Sequence, residues 1–105
     1  MTDVRTVYVT TGSDLEARAI ARALLEERLI ACANILPNMR SLYRWEGGVQ
    51  EDEEVAMLLK TRAELVERVV ARVEALHTYD VPCVVVWPID AGADDYLAWV
   101  RAETG

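Results

Sequence analysis

The stretch Ser41-Leu42-Tyr43-Arg44-Trp45-Glu46-Gly47-Gly48-Val49-Gln50-Glu51-Asp52-Glu53-Glu54-Val55-Ala56-Met57-Leu58-Leu59-Lys60 decides the fold. Before the glycines, Ser41, Tyr43 and Trp45 alternate with Leu42 and Arg44. After them, Val55, Met57 and Leu59 alternate with Glu54, Ala56, Leu58 and Lys60. Alternation with period two is the mark of a strand, and Gly47-Gly48 between two such runs is a hairpin signal. With Ile30–Leu36 before it, stopped or bent at Pro37, the hairpin becomes an unusually long antiparallel ribbon.

On either side of this ribbon lies a strand–helix unit. Arg5–Thr11 is rich in β-branched and aromatic residues and predicts a strand that Gly12 ends. Ser13 and Glu16 form a capping box. It opens a helix with Ala17, Ile20, Ala21, Leu24 and Leu25 on one face. After the ribbon, Thr61 and Glu64 repeat that capping pattern before a helix with Leu65, Val66, Val69, Val70, Val73 and Leu76 on one side. Val81–Ile89 is nearly all apolar and reads as a buried strand, and Asp94 can cap a last short helix bearing Tyr96, Trp99 and Val100. The order β-α-β-β-α-β plus a C-terminal helix predicts an α+β, ferredoxin-like split βαβ fold. Its antiparallel sheet has the order 4-1-3-2, in one domain across residues 1–105. A ribbon carrying Tyr43 and Trp45 beyond the helices would be a liability in a monomer, so these two residues are expected at an interface between copies.

The 105 residues are 52% hydrophobic with a formal net charge of −7. That balance opposes sequence-blind nucleic-acid binding and binding to anionic membranes, both of which need basic residues. The N-terminus shows no signal-peptide pattern and no apolar run approaches a membrane span. With only Cys32 and Cys83, a disulfide scaffold is excluded and the cytoplasm is the expected compartment. The predicted strand order puts the two thiols on opposite sheet edges, roughly 14 Å apart, too far for a bridge within one chain.

Five segments resemble the CutA divalent-cation-tolerance family. They are Ala31-Cys32-Ala33-Asn34-Ile35-Leu36-Pro37, Ser41-Leu42-Tyr43-Arg44-Trp45-Glu46-Gly47, Lys60-Thr61, His77-Thr78-Tyr79-Asp80-Val81-Pro82 and Tyr96-Leu97-Ala98-Trp99. The resemblance implies a ferredoxin-like subunit and a homotrimer whose ribbons pair between subunits. It also implies a non-enzymatic role in divalent-metal tolerance or homeostasis, chiefly of copper. A likeness to PII signalling proteins, which bind small ligands between subunits, comes with it. Two positions depart from the pattern. Cys83 stands where many relatives carry Glu. Where some bacterial members use a Cys and a His pair for copper, this chain has Thr10 and Leu76-His77, so only His77 of that set is present.

Each candidate residue has two readings. His77, the only histidine, is either a helix-ending residue with a backbone hydrogen bond or a Cu2+ or other divalent-metal ligand. Cys32 and Cys83 are either plain buried thiols or soft ligands, Cys32 being the candidate beside His77. Glu51–Glu54 reads as a solvated, edge-protecting run, with loose cation attraction as the alternative. Lys60 and Thr61, at a strand end before a helix N-terminus, are either a satisfied pair or, with Tyr79, part of a cleft for a small anionic metabolite. No nucleophile, base and orienting group stand together, and no glycine pattern matches a phosphate loop.

Overall fold

In the computed structural model, which describes all 105 residues, strand β1 (Val4–Thr11) leads into helix α1 (Asp14–Glu26). Strands β2 (Cys32–Trp45) and β3 (Gly48–Arg62) form the ribbon. Helix α2 (Val66–Leu76), strand β4 (Val84–Pro88) and helix α3 (Asp94–Glu103) follow. The sheet order β2-β3-β1-β4, antiparallel at every pairing, is the expected 4-1-3-2. No helix is long and apolar enough to cross a membrane.

Period-two alternation divides the sheet into two unlike faces. Val7, Val9, Val55, Met57 and Leu59 point toward the helices and join Ile20, Leu24, Val69 and Val73 in one buried core. Their register neighbours on the other face, Tyr8, Leu58, Val85 and Trp87, lie beyond the end of the sheet where α3 packs on Val4 and Cys32. Val85 and Trp87 are 49% and 43% exposed. The apolar run around β4 is therefore a half-exposed edge strand, shorter than Val81–Ile89 and not the buried strand expected. Valines on both faces do not bury both when the helices over the second face reach only one end of the sheet. A second cluster of Val4, Ala31, Leu97 and Val100 docks α3 at the end of the sheet.

Helix starts divide in the same way between expectation and structure. Ser13 Oγ accepts from the Glu16 N–H at 3.1 Å, as the first capping box requires. The second box is absent. Thr61 remains in β3, fully buried, and its hydroxyl donates to the Leu29 carbonyl at 2.6 Å. A 3-10 turn at Ala63–Leu65 then leads into α2. Strand pairing and a buried carbonyl to satisfy outweighed the local capping motif. Asp94 likewise does not cap. It is the first residue of α3, behind Ala93, where its charge faces the positive end of the helix dipole. Leu25 is 39% exposed and lies off the buried side of α1.

The ribbon gives the molecule its shape, 44 × 26 × 23 Å with a radius of gyration of 14.2 Å. A compact chain of this length has about 13 Å. The hairpin turns at Glu46 and Gly47, with φ of 51° and 80°, closing on the pair Trp45–Gly48. Both turn residues are left-handed, as a two-residue hairpin with native twist requires, and the turn lies one residue earlier than the glycine pair suggested.

Candidate functional site

A bulge in the ribbon assembles the site. Between the pairs Leu36–Ala56 and Met39–Glu54, β2 spends three steps where β3 spends two. Pro37 has no N–H for the ladder, and Asn38, at φ 62°, takes the left-handed conformation that asparagine tolerates. The extra residue returns Met39 to the face of Leu36. Ser41, Tyr43 and Trp45 then follow on the uncovered side, opposite Asp52, Gln50 and Gly48. The same alternation carries Glu54 to that side. The fourth residue of the acidic run is therefore not solvated, as expected for all four, but only 9% exposed.

From the other direction, α2 ends at His77 and the chain crosses the open end of the sheet. The His77 side chain is fully buried. Its Nε2 lies 2.7 Å from the Thr10 carbonyl, and its Nδ1 accepts from the Tyr79 N–H at 3.1 Å. Accepting at Nδ1 fixes the ring proton on Nε2, which donates to Thr10. This clamp aims Tyr79, whose hydroxyl donates to Glu54 at 2.8 Å and whose ring packs 4.7 Å from the imidazole. Gly12 makes room for it, since a Cβ there would stand 3.2 Å from the Tyr79 hydroxyl. Glu16 supports the turn, accepting from the Thr78 N–H and hydroxyl at 2.9 and 2.7 Å. Burial pushes the Glu16 carboxyl up, but the bonds from Thr78 and Gly12 and the nearby His77 outweigh it and hold the group below the usual range.

Between ribbon and turn lies a cleft of about 600 Å³. Tyr8, Tyr43, Trp45 and Tyr79 give it four aromatic rings, while Glu54 and Asp80 give it two carboxylates. Ser41, Thr10, Thr78, Val81 and Cys83 complete the wall. No Lys or Arg lines it. Burial, then the Cys83 and Glu54 charges, raise the Tyr8 phenol. Burial, then the bond to Glu54, raise that of Tyr79 further. The Tyr43 hydroxyl donates to Asp52, which raises its phenol too.

Of the residues singled out in the sequence, the cleft gathers Tyr43, Trp45 and Tyr79 and leaves out the others. Lys60 pairs with Cys32 and Thr6, six residues along β3 from Glu54, or about 20 Å. Thr61 points into the core. Cys32 meets the Tyr96 hydroxyl at 3.3 Å, and that bond and burial push the Tyr96 phenol up to about 12. His77 stands beside Thr10 at the opposite end of β1 from Thr6, so the two candidate metal ligands are not brought together. No group of three or more His, Cys, Asp and Glu side chains converges anywhere. With both nitrogens of His77 engaged, the donors present do not fit a dedicated copper or other divalent-metal centre within one chain. The sequence reading missed Tyr8, Glu54 and Asp80 as cleft residues. For Glu54 a signal existed, because its parity along β3 matches Asp52 and Gln50, the partners of Ser41 and Tyr43.

A ferredoxin-like α+β domain with α1 and α2 over one sheet face, a second face covered only at its end by α3, and a protruding ribbon defines the class of this protein. Residues 5–103 match the family model described as CutA1 divalent ion tolerance protein. The divalent-cation tolerance protein CutA of Thermus thermophilus is 48% identical over 99 residues, covering 94% of this chain and 96% of the relative. Protein CutA of Homo sapiens is 41% identical over 101 residues, covering 96% of this chain and 56% of the longer human protein. Among solved structures, the Thermus thermophilus protein superposes with a TM-score of 0.94 at 47% identity, covering 97% of this chain and 99% of that one. CutA1 from Oryza sativa gives 0.94 at 39% identity, covering 97% and 94%. The chain belongs to the CutA divalent-cation tolerance family.

Proposed function

We propose that the chain serves divalent-cation tolerance as a cytoplasmic homotrimer that acts by binding a small ligand in its aromatic cleft, without catalysis and without a dedicated metal centre. The observation that carries this reading is the cleft itself. It offers about 600 Å³, four aromatic rings and a buried carboxylate, the concave and largely preformed shape of a small-molecule site. Assembly is supported by the bare sheet face, where the Tyr8 and Trp87 rings stack at 5.6 Å with little over them, and by Trp45, 46% exposed on the ribbon. Two free thiols are consistent with a reducing compartment.

Copper or another divalent metal would meet this chain weakly, through exposed carboxylates such as Glu51, Asp52 and Glu53. A PII-like role with an anionic metabolite is less well supported, because Glu54 and Asp80 would face the anion with no basic side chain in the lining. Calorimetry with Cu2+ on the wild type and His77→Ala, beside a thermal-shift screen of small molecules, tests the reading. The expected result is weak Cu2+ binding, equal in both proteins, and a raised melting temperature with at least one small molecule. A tight, stoichiometric Cu2+ site lost in His77→Ala would overturn it.

A further inference from the structure

The clamp around His77 is closed entirely by its own chain. The side chain is 0% exposed, so no other copy reaches the ring, whatever covers the rest of the molecule. Both of its bonds need the neutral imidazole. Nε2 donates to the Thr10 carbonyl at 2.7 Å, and Nδ1 accepts from the Tyr79 N–H at 3.1 Å. A proton on Nδ1 turns that nitrogen into a donor and sets it against the Tyr79 N–H. The bond to Thr10 survives such a proton; the bond to Tyr79 does not.

A second partner for Nδ1 stands just out of reach. Glu16 Oε2 lies 3.7 Å away, beyond hydrogen-bond distance but close enough to pair with an imidazolium after a small shift of the ring. Despite its burial, the Glu16 carboxyl is held below the usual range by its bonds from Thr78 and Gly12, so it carries its charge. No other carboxylate lies within ion-pair distance of the ring. Around it, β1 presents the Thr10 carbonyl and β3 presents Glu54, one step removed behind the Tyr79 hydroxyl. Cys83, ahead of β4, meets the Thr10 N–H through its carbonyl, while Glu74 on α2 and Asp80 beyond the turn are exposed.

We propose that His77 is a pH-sensitive latch, in which the neutral ring holds the Tyr79 N–H and the protonated ring releases it and pairs with Glu16. Imidazole is the side chain suited to such an exchange near neutrality. The latched state binds one proton fewer at Nδ1. It is therefore complete above the titration of the ring and is lost as pH falls through it. The same turn ties the end of α2 to the ribbon, because the Tyr79 hydroxyl donates to Glu54 at 2.8 Å. Proton uptake at a fully enclosed ring thus loosens a contact on the opposite side of the turn.

The test is nuclear magnetic resonance on the full, nitrogen-15-labelled chain in its native assembly. Above the titration of the ring, a scalar coupling through the hydrogen bond should join the Tyr79 amide nitrogen to His77 Nδ1. It should vanish as the ring takes up its proton, while protection of the Tyr79 amide from exchange falls about tenfold with the same midpoint. Glu16→Gln keeps an acceptor for Thr78 but removes the charge, and should move that midpoint down by about one pH unit. A Tyr79 amide that ignores protonation of the ring would overturn the proposal, as would a ring that stays neutral until the chain unfolds. A midpoint that Glu16→Gln leaves in place would overturn it as well. His77→Gln, which cannot titrate, should leave the Tyr79 amide flat over the same range, and a persisting transition there would assign the change to another group and overturn the latch.

Discussion

The two faces of the sheet are built from the same strands, often from adjacent residues, and meet opposite ends. On β1, Val7 and Val9 are 0% exposed beneath the helices, while Tyr8 between them lies on the bare side and stacks on a Trp87 that is 43% exposed. On β3, Met57 and Leu59 are sealed at 0%, while Leu58 is only half-buried. Helices α1 and α2 cover one face, and α3 reaches only the end of the other, at Val4 and Cys32. The second face leaves Val85 and Trp87 49% and 43% exposed, and the proposal made above is that other copies of the chain complete it. One face therefore holds the chain's stability, and the other, with the ribbon and cleft, is where we propose that its interactions lie.

That division is broken most severely on the covered side. Leu59→Ala should cost about 2–5 kcal/mol, because the site is enclosed by strand and helix and collapses little. Denaturant unfolding should show the loss at every protein concentration. If the loss appears only on dilution, the two faces are not independent. On the bare side, Trp45→Ala should cost about 2–4 kcal/mol of assembly energy, as truncation of a central aromatic anchor does. Its melting temperature should fall as the sample is diluted. Trp99→Ala, on the helix that docks at the end of the chain's own sheet, should lower melting with little effect on assembly. Ultracentrifugation across a dilution series distinguishes the two, and a Trp45→Ala protein that stays assembled with unchanged melting would remove the ribbon from the interface.

Much of this was legible in the sequence, for reasons visible at particular residues. Strand order follows from the hairpin signal at Gly47-Gly48, one residue past the actual turn, and the two helices that flank the ribbon, while the periods in α1, Leu25 apart, and in Val55–Leu59 mark the core. What escaped depends on contacts distant along the chain. Nothing near Thr61 announces that its hydroxyl will serve Leu29, 32 residues away. His77 gives no local hint that Thr10, 67 residues away, will take its Nε2 proton. The acidic run concealed Glu54, because three of its four members are indeed exposed and composition does not single out the fourth. Parity along β3 does, once the register is fixed by the bulge at Pro37-Asn38. The valines of β4 misled in the opposite sense: an apolar residue reports a tendency to be covered, and here the cover is missing from the chain.

The smallest effect concerns acid sensitivity at the turn that holds Tyr79. The Glu16 carboxyl is depressed in the folded chain, so its stabilising contribution is complete above the ordinary unfolded carboxyl value of about 4.3. It is lost as pH falls through the lower, folded value. Glu16→Gln should therefore flatten the fall of stability below about pH 4.3, with a modest loss at neutral pH from weakened bonds to Thr78. An unchanged acid profile would show that the carboxylate does not hold the turn.

The claim that the bare face and ribbon are completed by other copies of the chain is tested most directly by mass. Light scattering coupled to size exclusion, at micromolar protein, should give three times the 11.8 kDa chain mass. A stable species of 11.8 kDa, with Tyr8, Trp45 and Trp87 open to solvent, would contradict the account.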